Sequence, residues 1–454
     1  MTLRARFVLP IAAALAAAAL PGAVAAATLQ PAQLIGSGTT LETAAAAGDH
    51  GTFAFVVRRQ DGIEAAVRRG VGAPWQRRVL DSGLKFGDDR EPQVVLGGDG
   101  TATAVYTAGG RHPQLMLARA PAGQGFGPAH AIAPVTGAAR PRLLALTGSR
   151  ALLLYVARRI VRRGRYLMGS SDESVYALTI DHRGHASRPR DLGIRGAEIA
   201  IAPEAGGAVL TYLVGHAVCS QRNGGSCRPR EQRLVLVGPD GKLQGAPLTV
   251  TRSSGDTQHP PRVFATGGAV VAAWVRHSYD PAHPPAAFTR TFDLSARRLH
   301  PTGVARPFPV YGGIGSNTPS VTSTHDGGLV GAGVVPPGEA AFAATASGDS
   351  AGPWTNAPER LGSPGGWTTV PRLVTARDGA TLGVFARSIV RPGPSAYDVV
   401  LARRTGPGTT TQTTLGDTLA TNDAGGLAFA QAPEGGLIVT WPDARGGVSV
   451  ATSN

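Results

Sequence analysis

The stretch "PQVVLGGDGTATAVY", residues 92–106, decides the fold. Two short apolar runs flank a turn that ends in Asp99-Gly100, and such pairs supply the positive φ that a tight hairpin needs. Close variants recur along the chain: "PRLLALTGSRALLLYV" (141–156), "AEIAIAPEAGGAVLTYLV" (197–214) and "PRVFATGGAVVAAWV" (261–275), then "PSVTSTHDGGLVGAGVV" (319–335), "PRLVTARDGATLGVFA" (371–386) and "LAFAQAPEGGLIVTW" (427–441). The first run is often introduced by proline: Pro92, Pro141, Pro261, Pro319 and Pro371. A third and a fourth run follow each pair, as in "QLMLARAPAGQGFGPAHAIA" (114–133), and an aromatic often opens the fourth: Trp75, Phe126, Trp354.

The inner runs are almost continuously apolar, the pattern of strands covered on both faces. No stretch of the mature chain sustains a helical period. Four-stranded units repeated about every 50–60 residues predict an all-β fold, a single β-propeller. The turns number eight units, including a first at "ETAAAAGDHGTFAFVVRR" (42–59). Seven blades, or six with a separate module, are the alternatives. The last unit stops at Asn454 one strand short, so "TLQPAQLI" (28–35) is expected to complete it and close the ring. Pro31 is tolerable on such an outer strand.

The start of the chain has another character. "MTLRARF" is basic, "VLPIAAALAAAAL" apolar, and "PGAVAAA" small. That order predicts a secretory signal peptide over 1–27, cut after Ala25 or Ala27, with the propeller at 28–454. An uncleaved anchor is the rival reading; no later stretch is long and apolar enough to span a bilayer. The expected location is therefore secreted or extracytoplasmic. Cys219 and Cys227, in "CSQRNGGSC", are spaced wrongly for a zinc pair. In an exported protein they predict a disulfide closing a short loop; two free thiols are the alternative.

The chain carries a formal charge of +14, nearly all from arginine, since its lysines are Lys85 and Lys242. Heavy Arg, Ala, Gly and Pro usage reads as compositional bias, yet the positive field is real and favours anionic partners. The links between second and third strands are longest in three consecutive blades: 157–176, 215–233 and 276–287. They are expected to cluster on one face. The first holds Arg158, Arg159, Arg162, Arg163, Arg165 and Tyr166; the second Arg222, Arg228, Arg230 and Arg233; the third Arg276, His277, Tyr279 and His283. Guanidinium groups grip carboxylate, sulfate or phosphate in bidentate fashion, so the expected ligand is an acidic glycan or a cell-envelope polymer. The bland reading is a solvated loop set. Export argues against nucleic acid as the physiological ligand.

Enzymatic readings have thinner support. "SGDSAGPW" (347–354) resembles the Asp-box of sialidase-like propellers through Ser347, Asp349 and Trp354, with Ala351 in place of the glycine. In that family the box is structural, lies at a third-to-fourth-strand turn, and implies fold more than activity. The resemblance implies a site built from an arginine triad, an acid and a tyrosine–glutamate pair, and no Phe/Tyr-Arg-Ile-Pro motif is found. A paired-carboxylate glycosidase would draw on Asp88, Asp89 and Glu91, or Asp172 and Glu173. "HSYDPAH" (277–283) lacks a third convergent donor, so neither metal nor cofactor is expected. A monomeric binding protein is the favoured reading, a sialidase-like hydrolase the rival, and a scaffold for another surface protein the third. Two facing carboxylates, or three convergent arginines around a pocket, would favour the enzyme; an exposed apolar patch would favour the scaffold.

Overall fold

The structure is a computed structural model. It describes residues 29–453 except 38, 71, 83–90, 110–112, 136–138, 164–165, 196–198, 205, 215–229, 254–261, 267–268, 277–285, 296–297, 303, 310–318, 325, 336–338, 346–348, 351, 356–357, 362–367, 390–395 and 419–425. Within strands, the side chains of 158–163, 166–172, 230, 252–253, 266, 276, 389 and 396 are also outside that description.

Eight antiparallel sheets form eight blades of a single propeller. Blade 1 runs Thr40–Gly48, Thr52–Arg59, Gly62–Arg69, Gln76–Ser82, and blade 2 runs Gln93–Leu96, Ala102–Ala108, Gln114–Ala120, His130–Pro134. Blade 3 is Arg140–Ala145, Ala151–Arg163, Tyr166–Ile180, Arg190–Arg195, and blade 4 is Ile199–Glu204, Gly207–Val214, Arg230–Val237, Leu243–Ser253. Blade 5 is Arg262–Thr266, Ala269–Arg276, Ala286–Ser295, Arg298–Pro301, with Arg306–Phe308 as an extra strand on the third. Blade 6 is Ser320–Ser323, Leu329–Val335, Glu339–Ala344, Glu359–Arg360, and blade 7 is Arg372–Thr375, Thr381–Ile389, Ala396–Gly406, Thr409–Thr418. Blade 8 has Ala428–Gln431, Leu437–Pro442 and Val448–Thr452, and takes its outer strand from Gln33–Ile35.

The unbroken apolar runs have a simple cause. Along a strand, alternate side chains point to opposite faces, and here both faces meet a neighbouring blade. In blade 3, Leu152, Leu154 and Val156 pack toward blade 4, while Leu153, Tyr155 and Ala157 pack toward blade 2. Eight such interblade cores follow one another round the ring, and the last joins Ile438 and Val450 of blade 8 to Phe53, Phe55 and Val57 of blade 1. The Asp-Gly turns behave as their residues require. Asp99 accepts a hydrogen bond from the Thr101 amide at 3.0 Å, and Gly100 takes φ +81°; Asp378 and Gly379 (φ +82°) repeat the pattern.

Closure follows the expected route. Gln33–Ile35 pairs antiparallel with Val448–Val450, and the Gln30 amide donates to the Thr452 carbonyl at 2.7 Å. A buried ion network locks this seam. Glu64, 6 % exposed, holds Arg59 at 2.7 Å and also pairs with Arg77; Arg59 in turn donates to the carbonyls of Ile35 and Ser37. Arg68 donates to the Thr452 hydroxyl at 2.8 Å and lies over the rings of Phe53 and Trp75.

The far end of the blades is stapled by other arginines. Arg69 of blade 1 donates to the Ala120, Pro121 and Gln124 carbonyls of blade 2 at 2.8–3.1 Å. Arg119 of blade 2 reaches the His182 and Ser149 carbonyls of blade 3, at 2.9 and 3.1 Å. The Asp-box-like stretch lies at the third-to-fourth-strand turn of blade 6, and Trp354, 5 % exposed, donates to Thr289 of blade 5 at 2.8 Å and meets the Phe308 ring edge-on.

Candidate functional site

The eight inner strands enclose an axial cavity of about 750 Å³. Every blade contributes to its wall, through residues such as Ala46, Val95, Ile201, Phe264, Leu373 and Phe429. The polar side chains of the wall are Thr322, Thr375 and Gln431, and the two threonine hydroxyls bond each other at 2.8 Å.

One step above this wall, at the proline-led ends of the inner strands, the registers define an equivalent position in each blade. Gln93 faces Val105, Arg142 faces Leu154, Arg262 faces Ala273, Ser320 faces Ala332 and Arg372 faces Val384. Ala200 and Ala428 hold the matching place in blades 4 and 8. Three of these positions, in alternate blades 3, 5 and 7, are therefore arginine, and all three side chains are half-buried at the channel mouth.

They lie close enough to act on one another. Burial, then the charges of Arg372 and Arg142, pull Arg262 down to about 10. Burial and Arg142 likewise lower Arg372, against the opposing pull of Glu91. At neutral pH Arg262 and Arg372 remain cationic despite this. Arg262 donates to the Ser320 hydroxyl at 3.0 Å, and Arg142 is ion-paired with Glu91. Among the described residues, Glu91 is the carboxylate that faces the cluster. A half-buried site with this excess of positive charge suits an acid group.

The position of the arginines named from sequence is different. Residues 157–176 were expected to be a loop, but the backbone continues as a two-stranded ribbon: Arg158 pairs with Glu173, Ile160 with Gly169, Arg162 with Leu167 and Arg163 with Tyr166. Pairing runs from Ala151 to Arg158, breaks at an irregularity opposite 170–172, and resumes from Ile160 to Arg163, so the hairpin extends outward past that bulge. Arg159 lies within that bulge. Arg230 opens the third strand of blade 4 opposite Ser253, and Arg233 is engaged with Glu231 at 3.0 Å. Arg165, Arg222, Arg228, His277, Tyr279, Cys219, Cys227, Asp88 and Asp89 lie outside the described residues.

The ring arginines were not singled out from the sequence, although a signal was present. Each follows one of the five prolines that open inner strands: "PRL", "PRV" and "PRL" at 141, 261 and 371. Residues 348–352 also spell Gly-x-Ser-x-Gly. Ser350 stands in a turn between strands, and its carbonyl accepts from Thr291 and Arg306, so the strand-to-helix context of a nucleophile elbow is missing there. No group of three or more metal-ligating side chains is found among the described residues. Large exposed apolar side chains are Leu34, Val79 and Val304 among the described residues.

No family model matches the chain, and no curated protein matches it. Solved structures of similar shape exist. A puromycin-hydrolyzing peptidase of Mycobacterium tuberculosis is 14 % identical over 90 % of this chain and 62 % of its own, with a TM-score of 0.48. The WD40 domain of SCAP from fission yeast is 10 % identical over 94 % and 98 %, at 0.45. The GH93 α-L-arabinofuranosidase of Fusarium graminearum, solved with arabinobiose, is 10 % identical over 79 % and 93 %, at 0.40. These proteins differ in activity, and likenesses this distant carry nothing about what the present chain binds.

Proposed function

We propose that this propeller is a binding protein for an acidic ligand, whose carboxylate, sulfate or phosphate is held by Arg142, Arg262 and Arg372 at the channel mouth. The observation that carries the reading is the ring itself: three arginines from alternate blades, at one register level, converging on an axial cavity. The ring opens on the face that also receives the links between second and third strands, so the ribbon with Arg158, Arg159, Arg162 and Arg163 borders the same mouth. With the leader expected over 1–27, the reading places this binding outside the cytoplasm.

Titration of the full chain with small anions and acidic glycans, at low and high salt, tests it. Saturable binding that salt weakens and that R142Q/R262Q/R372Q abolishes supports the ring. Binding indifferent to those three changes but lost when Arg158, Arg159, Arg162 and Arg163 become alanine moves the site to the ribbon. No binding of any acid refutes the reading.

A sialidase-like hydrolase is the second reading, and the same triad favours it, since convergent arginines around a pocket are part of what the Asp-box resemblance implies. Glu91 is then the acid nearest to hand. Release of fluorophore from a sialoside, lost in Glu91→Gln, would support it; no turnover despite sialic acid binding leaves the protein a binder.

A further inference from the structure

No charged side chain lines the wall of the cavity beneath the ring. Its wall is aliphatic and aromatic in all eight blades, and two of its three polar side chains, Thr322 and Thr375, already bond each other, while Thr375 also donates to the Ser323 carbonyl. A saccharide placed there would bring many hydroxyls against a surface with few side-chain partners, which is unfavourable for buried polar groups. The free edges of the inner strands offer some backbone groups, enough for a few polar substituents.

The width is informative as well. The lining spans about three residues of each inner strand, a depth of roughly 10 Å at about 3.3 Å per residue. A cavity of about 750 Å³ over that depth has a mean cross-section of about 75 Å². Such a bore is broad and short, and a slender chain would leave much of its wall uncovered; fused or linked rings fill it.

We propose that the ligand is an apolar acid: a bulky, ring-bearing hydrocarbon body seated in the bore, with a single acid terminus held by Arg142, Arg262 and Arg372. This rests on the acid-binding reading above and narrows it. The body removes apolar wall from water, and the acid neutralises the ring. Together they explain why the charge sits at the rim and nowhere along the wall.

Three probes separate the two contributions. 1-Anilinonaphthalene-8-sulfonate carries body and acid, N-phenyl-1-naphthylamine the body alone, and inorganic sulfate the acid alone. With the full chain, the sulfonate is expected to bind one to one and at least tenfold more tightly than either fragment. Arg262→Gln should weaken sulfonate and sulfate while leaving the naphthylamine unchanged. Narrowing the bore with Ala145→Phe and Ala265→Phe should weaken the sulfonate at least tenfold and spare sulfate. Where that pair fails to melt cooperatively, the near-isosteric Val95→Thr with Val374→Thr serves, with a several-fold loss expected. A sulfonate no tighter than sulfate, or indifferent to the bore changes, overturns this inference and leaves the acid-binding reading standing. A naphthylamine as tight as the sulfonate also overturns it, since body and acid would then act apart. If sulfate and sulfonate are both insensitive to all three arginines, the acid-binding reading falls too.

Discussion

Replacing Arg262 by glutamine should make the unliganded protein more stable and the liganded one weaker. The charged form of Arg262 is disfavoured in the folded protein, with its pKa pulled down from the ordinary guanidinium range to about 10 by burial and by Arg372 and Arg142. At about 1.4 kcal/mol per unit, that depression is a cost of about 3 kcal/mol. The sign is fixed by linkage: a cation whose folded pKa is lowered destabilises the fold below that pKa, so the full cost is present at pH 7 and disappears as pH rises from about 10 toward the ordinary guanidinium range. Against this stands the hydrogen bond to Ser320 at 3.0 Å, worth about 1.5–3 kcal/mol when one partner is charged and partly kept by an amide. Solvent reaching the half-buried side chain reduces the cost further. The net expectation is a gain of about 1–2 kcal/mol on Arg262→Gln.

Urea denaturation in chloride measures this gain directly. Repeating it in sulfate at matched ionic strength measures the ligand contribution, because an ion that binds only the folded state adds stability by mass action. Sulfate also strengthens burial nonspecifically, so the informative quantity is the excess of wild type over variant. Wild type should gain more from sulfate than Arg262→Gln does. A variant less stable than wild type by 1 kcal/mol or more, yet equally responsive to sulfate, would show that Arg262 is a structural tie and refute the reasoning.

Three further outcomes follow from the packing. Glu64→Ala leaves Arg59 buried without its carboxylate at the ring closure and should cost about 3–5 kcal/mol in urea melts; a loss under 1 kcal/mol would mean that the seam does not depend on the pair. Trp354→Ala removes a buried indole and orphans the Thr289 hydroxyl, for an expected loss of about 3–5 kcal/mol by the same measurement. At Asp443, burial opposes ionisation, but hydrogen bonds from Arg445 and Ser449 outweigh it and hold the carboxyl at about 2. Its contribution of about 2 kcal/mol is present above the ordinary carboxylate range and lost as pH falls from about 4 to 2; Asp443→Asn should remove it at pH 7, and the two proteins should converge in melting temperature on acidification.

Much of the fold could be read from the chain because the physical signals were local. Proline before a strand, Asp-Gly at a turn and an apolar run covered on both faces each act within about ten residues, and repetition made them unambiguous. The missing outer strand was legible for the same reason: a unit ending at Val448–Thr452 lacks a partner that Gln33–Ile35 supplies. The site was less legible. Arginines crowded in one segment, such as Arg158–Arg163, stand out in sequence, whereas Arg142, Arg262 and Arg372 lie more than a hundred residues apart and meet only when the ring closes. The ribbon at 157–176 reads as a loop where polar, Arg-rich composition is weighed above continued strand pairing, which the third strand keeps at 166–169 and 173–180.

Composition counts all these arginines alike, but the structure uses them in opposite ways. Arg69 and Arg119 end the third strands of their blades, and each spends its guanidinium on carbonyls of the next blade. Arg404 instead pairs with the carboxylate of Glu359 in the preceding blade, at 3.2 Å. Such contacts favour the closed ring whatever the protein binds. Arg142, Arg262 and Arg372 face one another instead, with Glu91 as their counter-charge among the described residues. That arrangement, together with burial, lowers the pKa values of Arg262 and Arg372 and so disfavours their charged forms in the fold. At the equivalent positions of blades 2 and 6 the fold places glutamine and serine instead, Gln93 and Ser320. Local rules broken at a cost tend to mark function, and an acid entering the ring converts that cost into binding free energy.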